Sequence, residues 1–137
     1  MATTDSEKLP SYSDTTLTAT CHCGGITVIA PALTDSLRPN VITECRCSVC
    51  GRYAALWAYY KPSDVFITAE AGHKSLKYVR SDKGSDGDPE YCFCSRCGCV
   101  THCVIADQGH PARNIAVHVR MLDSKIWKSL GRRILQG

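Results

Sequence analysis

Ten cysteines stand in this chain of 137 residues, and most fall in short patterned groups. The stretch ECRCSVCGRY, residues 44–53, holds Cys45, Cys47 and Cys50 within six positions. TCHCGG contributes Cys21 and Cys23, and FCSRCG contributes Cys94 and Cys97. In an oxidising compartment such cysteines would form a disulfide framework; in a reducing one, thiols at CxC and CxxC spacing bind metal. The two members of a CxC cannot bridge each other without strain, yet they can share one tetrahedral ion, so metal is the favoured reading. Zinc is the expected ion, because it suits an all-thiolate site and iron–sulfur clusters use other spacings.

The groups differ in how many ligands they offer. On an extended backbone Cys21 and Cys23 would project to the same face, so two sulfurs converge without a special turn. Cys94 and Cys97 form a CxxCG knuckle in which Gly98 lets backbone amides approach the sulfurs. Together they make a four-cysteine set that ties the start of the domain to its later half and reads as a structural zinc. Cys45, Cys47 and Cys50 supply only three ligands, which with an open fourth position is the pattern of a catalytic zinc. A fourth cysteine from Cys92, Cys99 or Cys103 would close that site instead, and spacing leaves both arrangements open.

The elements that must position these groups are mostly strands. GGITVIAP, NVITECRC, YAALWAYY, DVFITAE, SLKYVRS, EYCFCSRCGCVTHCVIA and NIAVHVRML are short β-type runs separated by turn signals. In the last, Ile115, Val117, Val119 and Met121 alternate with Ala116, His118 and Arg120, the period of a half-buried strand. Residues 81–90 and 107–114 read as loops. DSKIWKSLGRRILQG predicts a short C-terminal helix capped by Asp123 or Ser124, with Ile126, Trp127, Leu130 and Ile134 as its apolar stripe and Gly131 as an early stop. Residues 1–16 are polar and predict a flexible N-terminal arm, leaving 17–137 as a single zinc-binding domain.

Composition excludes several classes. Hydrophobic residues make up 44% and charged residues 21%, and no apolar run reaches the length of a membrane span. No basic stretch followed by an apolar one marks a secretory signal, so the expected compartment is the cytoplasm. The formal charge is +3, but seven metal-bound thiolates and two divalent ions would bring it to zero. The terminal cluster of Lys125, Lys128, Arg132 and Arg133 then reads as a solvated helix face, which argues against nucleic acid as a partner.

The order CHCGG, CRCSVCGR, FCSRCG and a strand ending in MLD resembles the glutathione-dependent formaldehyde-activating enzyme and centromere protein V family, from Thr18 to Asp123. The resemblance implies a β-tent fold, that is, small antiparallel sheets stapled by zinc. It implies a structural zinc on Cys21, Cys23, Cys94 and Cys97, and a second zinc on Cys45, Cys47 and Cys50 whose open position faces a glutathione or substrate pocket. It further implies a carbon–sulfur lyase that forms or breaks S-hydroxymethylglutathione, with glutathione as co-substrate. Cys92, Cys99 and Cys103 are additions to the usual pattern.

An ion carrying three thiolates is a weak Lewis acid, suited to holding a substrate thiolate beside a carbonyl carbon. Adding a thiol to an aldehyde, or reversing that addition, needs proximity and a proton transfer more than a strong base. Arg46 and Arg52, in and beside the three-cysteine loop, are candidates to pair with glutathione carboxylates, against the alternative of ordinary solvated arginines. Trp57, Tyr59 and Tyr60 are candidates for a pocket wall or for core. His22, between two ligands, should point away from the metal, and His102 is a candidate proton relay. Two functions follow: a lyase acting on a small thiol or thiol adduct, including a bulkier thioether or aldehyde of secondary metabolism, or a non-catalytic zinc-stabilised interaction module.

Overall fold

The computed structural model describes residues 16–80, 89–106, 113–128 and 130–136. Ten strands follow in chain order: β1 Thr16–Thr20, β2 Ile26–Pro31, β3 Val41–Cys45, β4 Leu56–Tyr60, β5 Phe66–Ala69, β6 Ser75–Val79, β7 Glu90–Cys94, β8 Val100–Ala106, β9 Arg113–His118 and β10 Gly131–Leu135. Two helices are short: α1 Ser48–Tyr53, after β3, and α2 Ser124–Trp127, before β10. The fold is mainly β with a short helix near the C-terminus. The arm expected over residues 1–16 lies outside the described residues except for Thr16, which opens β1. The two predicted loops lie largely outside them as well, β7 starting at Glu90 and β9 at Arg113.

The strands form two sheets. One is three-stranded and antiparallel, in the order β1-β2-β5; the other has seven strands in the order β10-β3-β4-β9-β8-β7-β6. The larger sheet exceeds the small antiparallel sheets expected, and its edge pair β10-β3 is parallel, with Leu135 in register with Cys45. That edge is where the sequence reading departs furthest from the structure. α2 ends after one turn and Gly131–Leu135 is extended, so Ile134 sits half-exposed on a strand instead of continuing a helical stripe.

Because strand side chains alternate, the large sheet has two different faces. Leu56, Ala58, Tyr60, Ile115 and Val117 point to one face, where they pack with Leu17, Ala19, Val28 and Ala30 of the small sheet as the main core. The Tyr60 hydroxyl donates to the Pro31 carbonyl at 3.0 Å, joining the sheets across this layer. Trp57, Tyr91, Cys103 and Ala116 point to the opposite face and pack with Cys47 and Cys50 as a second cluster. Registers place Trp57 opposite His118, Tyr59 opposite Ala116, Ala116 opposite Cys103 and Cys103 opposite Tyr91, so this face is one continuous row across four strands.

Candidate metal centres and the adjoining cavity

Two cysteine groups converge among the described residues. Cys21, Cys23, Cys94 and Cys97 bring their sulfurs within 4.8 Å of one another, and so do Cys45, Cys47 and Cys50. In the first group, Cys23 lies 3.6 Å from Cys21 and 3.6 Å from Cys94, which is 71 positions away. A tetrahedral ion with Zn–S bonds of about 2.3 Å requires sulfurs about 3.8 Å apart, so the donor set fits such an ion. All ten cysteines are free thiols.

The local chain explains the convergence. Cys21 and Cys23 do not meet on a strand, as the sequence reading expected. They meet on a turn closed by the Gly24 N–H donating to the Cys21 carbonyl at 3.0 Å, with Gly24 at a φ of 82°. The second knuckle repeats the device: Gly98, at a φ of 79°, donates its N–H to the Cys94 carbonyl at 2.9 Å. Both positions are left-handed, where glycine carries no Cβ penalty. Backbone N–H groups of Ile26 and Arg96 donate to the Cys21 and Cys94 sulfurs at 3.2 and 3.4 Å. His22 is exposed and is not among the converging ligand atoms.

The three-cysteine group is built differently. Cys45 ends β3, Cys47 caps α1 by accepting the Cys50 N–H at 3.3 Å, and Cys50 lies inside the helix. Side chains, not only backbone, donate to these sulfurs. The Trp57 Nε1–H donates to Cys50 Sγ at 3.4 Å, the Tyr91 hydroxyl lies 3.5 Å from the same sulfur, and Arg80 Nη1 donates to Cys47 Sγ at 3.3 Å. Arg80 is 6% exposed and its Nη2 also donates to Ser48 Oγ at 3.2 Å. Such partners orient ligands and tune the charge of a bound ion.

Proton affinities differ within each group. In the first, the Gly25 N–H favours the Cys23 thiolate, but lost solvation and the Cys94 and Cys21 sulfurs push it up to about 12. Cys97 goes the other way: against burial, backbone N–H groups draw it down to about 5. In the second, burial pushes Cys50 up to about 12, while N–H groups of Cys50 and Val49 overcome burial and draw Cys47 down to about 7. Thiols in contact cannot all ionise together without a counter-charge, which a divalent cation would supply.

No fourth cysteine joins the second group among the described residues. Cys92 projects to the opposite face, in register with His102, and burial pushes it up to about 11. Cys99 packs beside Cys21 and Cys94 of the first group. Cys103 lines the cavity that the three thiols open into without joining their group. That cavity, of about 300 Å³, is lined by Cys45, Cys47 and Cys50 together with Trp57, Tyr59, Tyr91, Ile105, Leu135 and Ala116. A second cleft, of about 280 Å³, shares Cys45 and Cys50 as a wall and is lined by Arg46, Arg120, Arg132 and Glu44.

The remaining candidates divide. Trp57 and Tyr59 line the cavity, whereas Tyr60 is core. Arg46 lies in the cationic cleft, its Nε 2.8 Å from Glu44, which Arg132 also meets at 3.0 Å. Arg52 is elsewhere: its Nη1 donates to the Ser48 carbonyl and it borders a shelf with Tyr53 and Tyr78. His102 does not face the site. It is adjacent to Cys103 on β8 and so projects to the other face, where burial lowers it to about 4, and its Nδ1 lies 2.8 Å from Thr101 Oγ1. A proton relay at the thiols is excluded by that orientation. Arg80 and Tyr91 were not singled out from the sequence. No spacing links them to the thiols; the β6 and β7 pairing brings them there.

No helix among the described residues is long and apolar enough to cross a membrane. No family model matches the chain, and no curated protein matches it. Among solved structures it is similar to the crystal structure of a Rhodobacter sphaeroides protein determined as a structural-genomics target. The TM-score is 0.63 at 22% identity, over 85% of this chain and 100% of that one. This likeness is one of fold.

Proposed function

We propose that this protein is a zinc-dependent carbon–sulfur lyase that forms or cleaves the adduct of a thiol and an aldehyde, of the S-hydroxymethylglutathione type. The observation that carries the reading is that Cys45, Cys47 and Cys50 converge without a fourth cysteine and all three line one cavity. These three residues would hold a zinc ion, which would supply an open position for a substrate sulfur.

The chain's own groups do the rest. In the cleavage direction the C–S bond breaks with its electron pair staying on sulfur, while the adduct hydroxyl gives up its proton and becomes the carbonyl of the aldehyde. The proton ends on the released thiol, so atoms and electrons balance. Burial, followed by the Cys50 contact, raises the Tyr91 pKa, so its hydroxyl stays protonated and serves as a hydrogen-bond donor at the cavity wall, not as a base. Trp57 and Arg80 hold Cys50 and Cys47 in place. On the other side of the shared wall, the excess of arginine over Glu44 suits the carboxylates of an anionic thiol such as glutathione.

The test is to follow hemithioacetal formation between glutathione and formaldehyde, an aliphatic aldehyde and an aromatic aldehyde, with zinc-loaded protein. Acceleration over the uncatalysed rate for at least one, lost in a folded Cys47→Ser variant, is expected. Absence of acceleration for all three would leave a zinc-stabilised interaction module as the better reading.

A further inference from the structure

The cavity beside the three thiols has a mostly apolar lining, and its chemistry narrows the substrate. Ala116 of β9 and Cys103 of β8, small side chains on the central strands, stand in one row between Tyr59 and Tyr91 beneath it. Trp57 is 3% exposed and Tyr91 1% exposed, so they back the site from the packed interior, and its accessible apolar lining comes from the half-buried Tyr59, Ile105 and Leu135. Among the described residues Arg80 is the single charged side chain in the lining, and both of its terminal nitrogens are engaged, with Cys47 and Ser48.

Volume and polarity decide between candidate occupants. A closed, dry cavity of about 150 Å³ takes up benzene; this one, half-open at about 300 Å³, has room for a ring that keeps one edge toward solvent. A one-carbon aldehyde would leave most of it to water against apolar walls. The glutathione peptide would place two carboxylates and an ammonium against tryptophan, tyrosine and leucine, where ions are strongly disfavoured. Polar peptide fits the arginine cleft; an aromatic or alicyclic body fits here.

We infer that the carbon half of the adduct is a bulky, apolar, ring-bearing aldehyde, seated against Tyr59, Ile105 and Leu135 with its sulfur-bearing carbon toward Cys45, Cys47 and Cys50. The inference rests on the lyase reading for its chemistry but has a separate test. Protein with cobalt in place of zinc is titrated with benzyl mercaptan, ethanethiol and glutathione, and sulfur-to-metal charge-transfer bands are read alongside tryptophan fluorescence. Benzyl mercaptan should half-saturate at least about ten-fold below the other two. Ile105→Glu, at the half-buried rim, should keep the metal content and lose that preference. Equal or tighter binding of ethanethiol or glutathione overturns the assignment, as does a benzyl preference unchanged in Ile105→Glu. Ring preference without turnover of any adduct supports this pocket while removing the lyase. Turnover of S-hydroxymethylglutathione without ring preference overturns this pocket while keeping the lyase.

Discussion

Arg80 Nη1 lies 3.3 Å from Cys47 Sγ, although 33 positions separate the two residues. A buried guanidinium on a thiolate offsets negative charge and fixes the sulfur's direction, which is how outer partners govern a metal site. Arg80→Met should therefore weaken zinc at the three-cysteine site by about 10–100-fold and leave the four-cysteine site loaded. Arg80→Lys should recover part of the loss. Competition with a graded series of chelators measures both sites; equal affinity in parent and Arg80→Met would show that the contact does not govern the metal.

The two cysteine groups should respond differently to loss of a ligand. The first joins residues 71 positions apart, so a metal there removes much freedom from the unfolded chain, whereas the second closes a loop of six residues. Cys97→Ser is expected to destabilise by several kcal/mol and to lower the melting temperature sharply. Cys47→Ser should stay folded with one zinc. Thermal melts and elemental analysis of the two variants check this, and equal loss of stability in both would make the second group a structural staple as well.

His102 provides a pH signature independent of the thiols. Burial lowers its folded pKa to about 4 from an ordinary 6.5, so below the ordinary value the unfolded chain takes up a proton that the folded chain refuses. The stabilisation is complete above about pH 6.5 and is lost as the pH falls toward 4, with about 2 kcal/mol gone between pH 7 and pH 5. His118, also lowered mainly by burial, acts in the same direction. Denaturant melts of zinc-loaded His102→Gln should be flatter than the parent over this range by that amount, and identical pH profiles would contradict the assignment.

How much of this was legible in the sequence depended on how local each signal was. The three cysteine clusters and most strands could be read, because CxC, CxxC and period-two patterns are set by neighbours in the chain. Which face of a strand meets the site could not: His102 and Cys103 are adjacent, alternation sends them to opposite sides, and the register of β8 between β7 and β9 decides which one lines the cavity. Arg80 and Tyr91 reach the thiols through the same pairing. The β10 strand was hidden for another reason. Ile126, Trp127 and Leu130 have helical spacing, but the chain turns at Gly131 and pairs with β3, gaining the backbone bond from Arg46 N–H to the Leu135 carbonyl at 2.8 Å. β1 was missed because LTAT is too short and too polar to stand out from the stretch before it.

The central claim is that one cysteine group closes around its ion and the other leaves a position for substrate. X-ray absorption at the zinc edge of the reduced, fully loaded protein tests it most directly. Two zinc ions per chain are predicted, with a mean first shell of three and a half sulfurs and half an oxygen or nitrogen, from four thiols at one site and three at the other. Added benzyl mercaptan should raise the mean to four sulfurs. Four sulfurs per zinc before any thiol is added, or a single zinc per chain, would contradict the account.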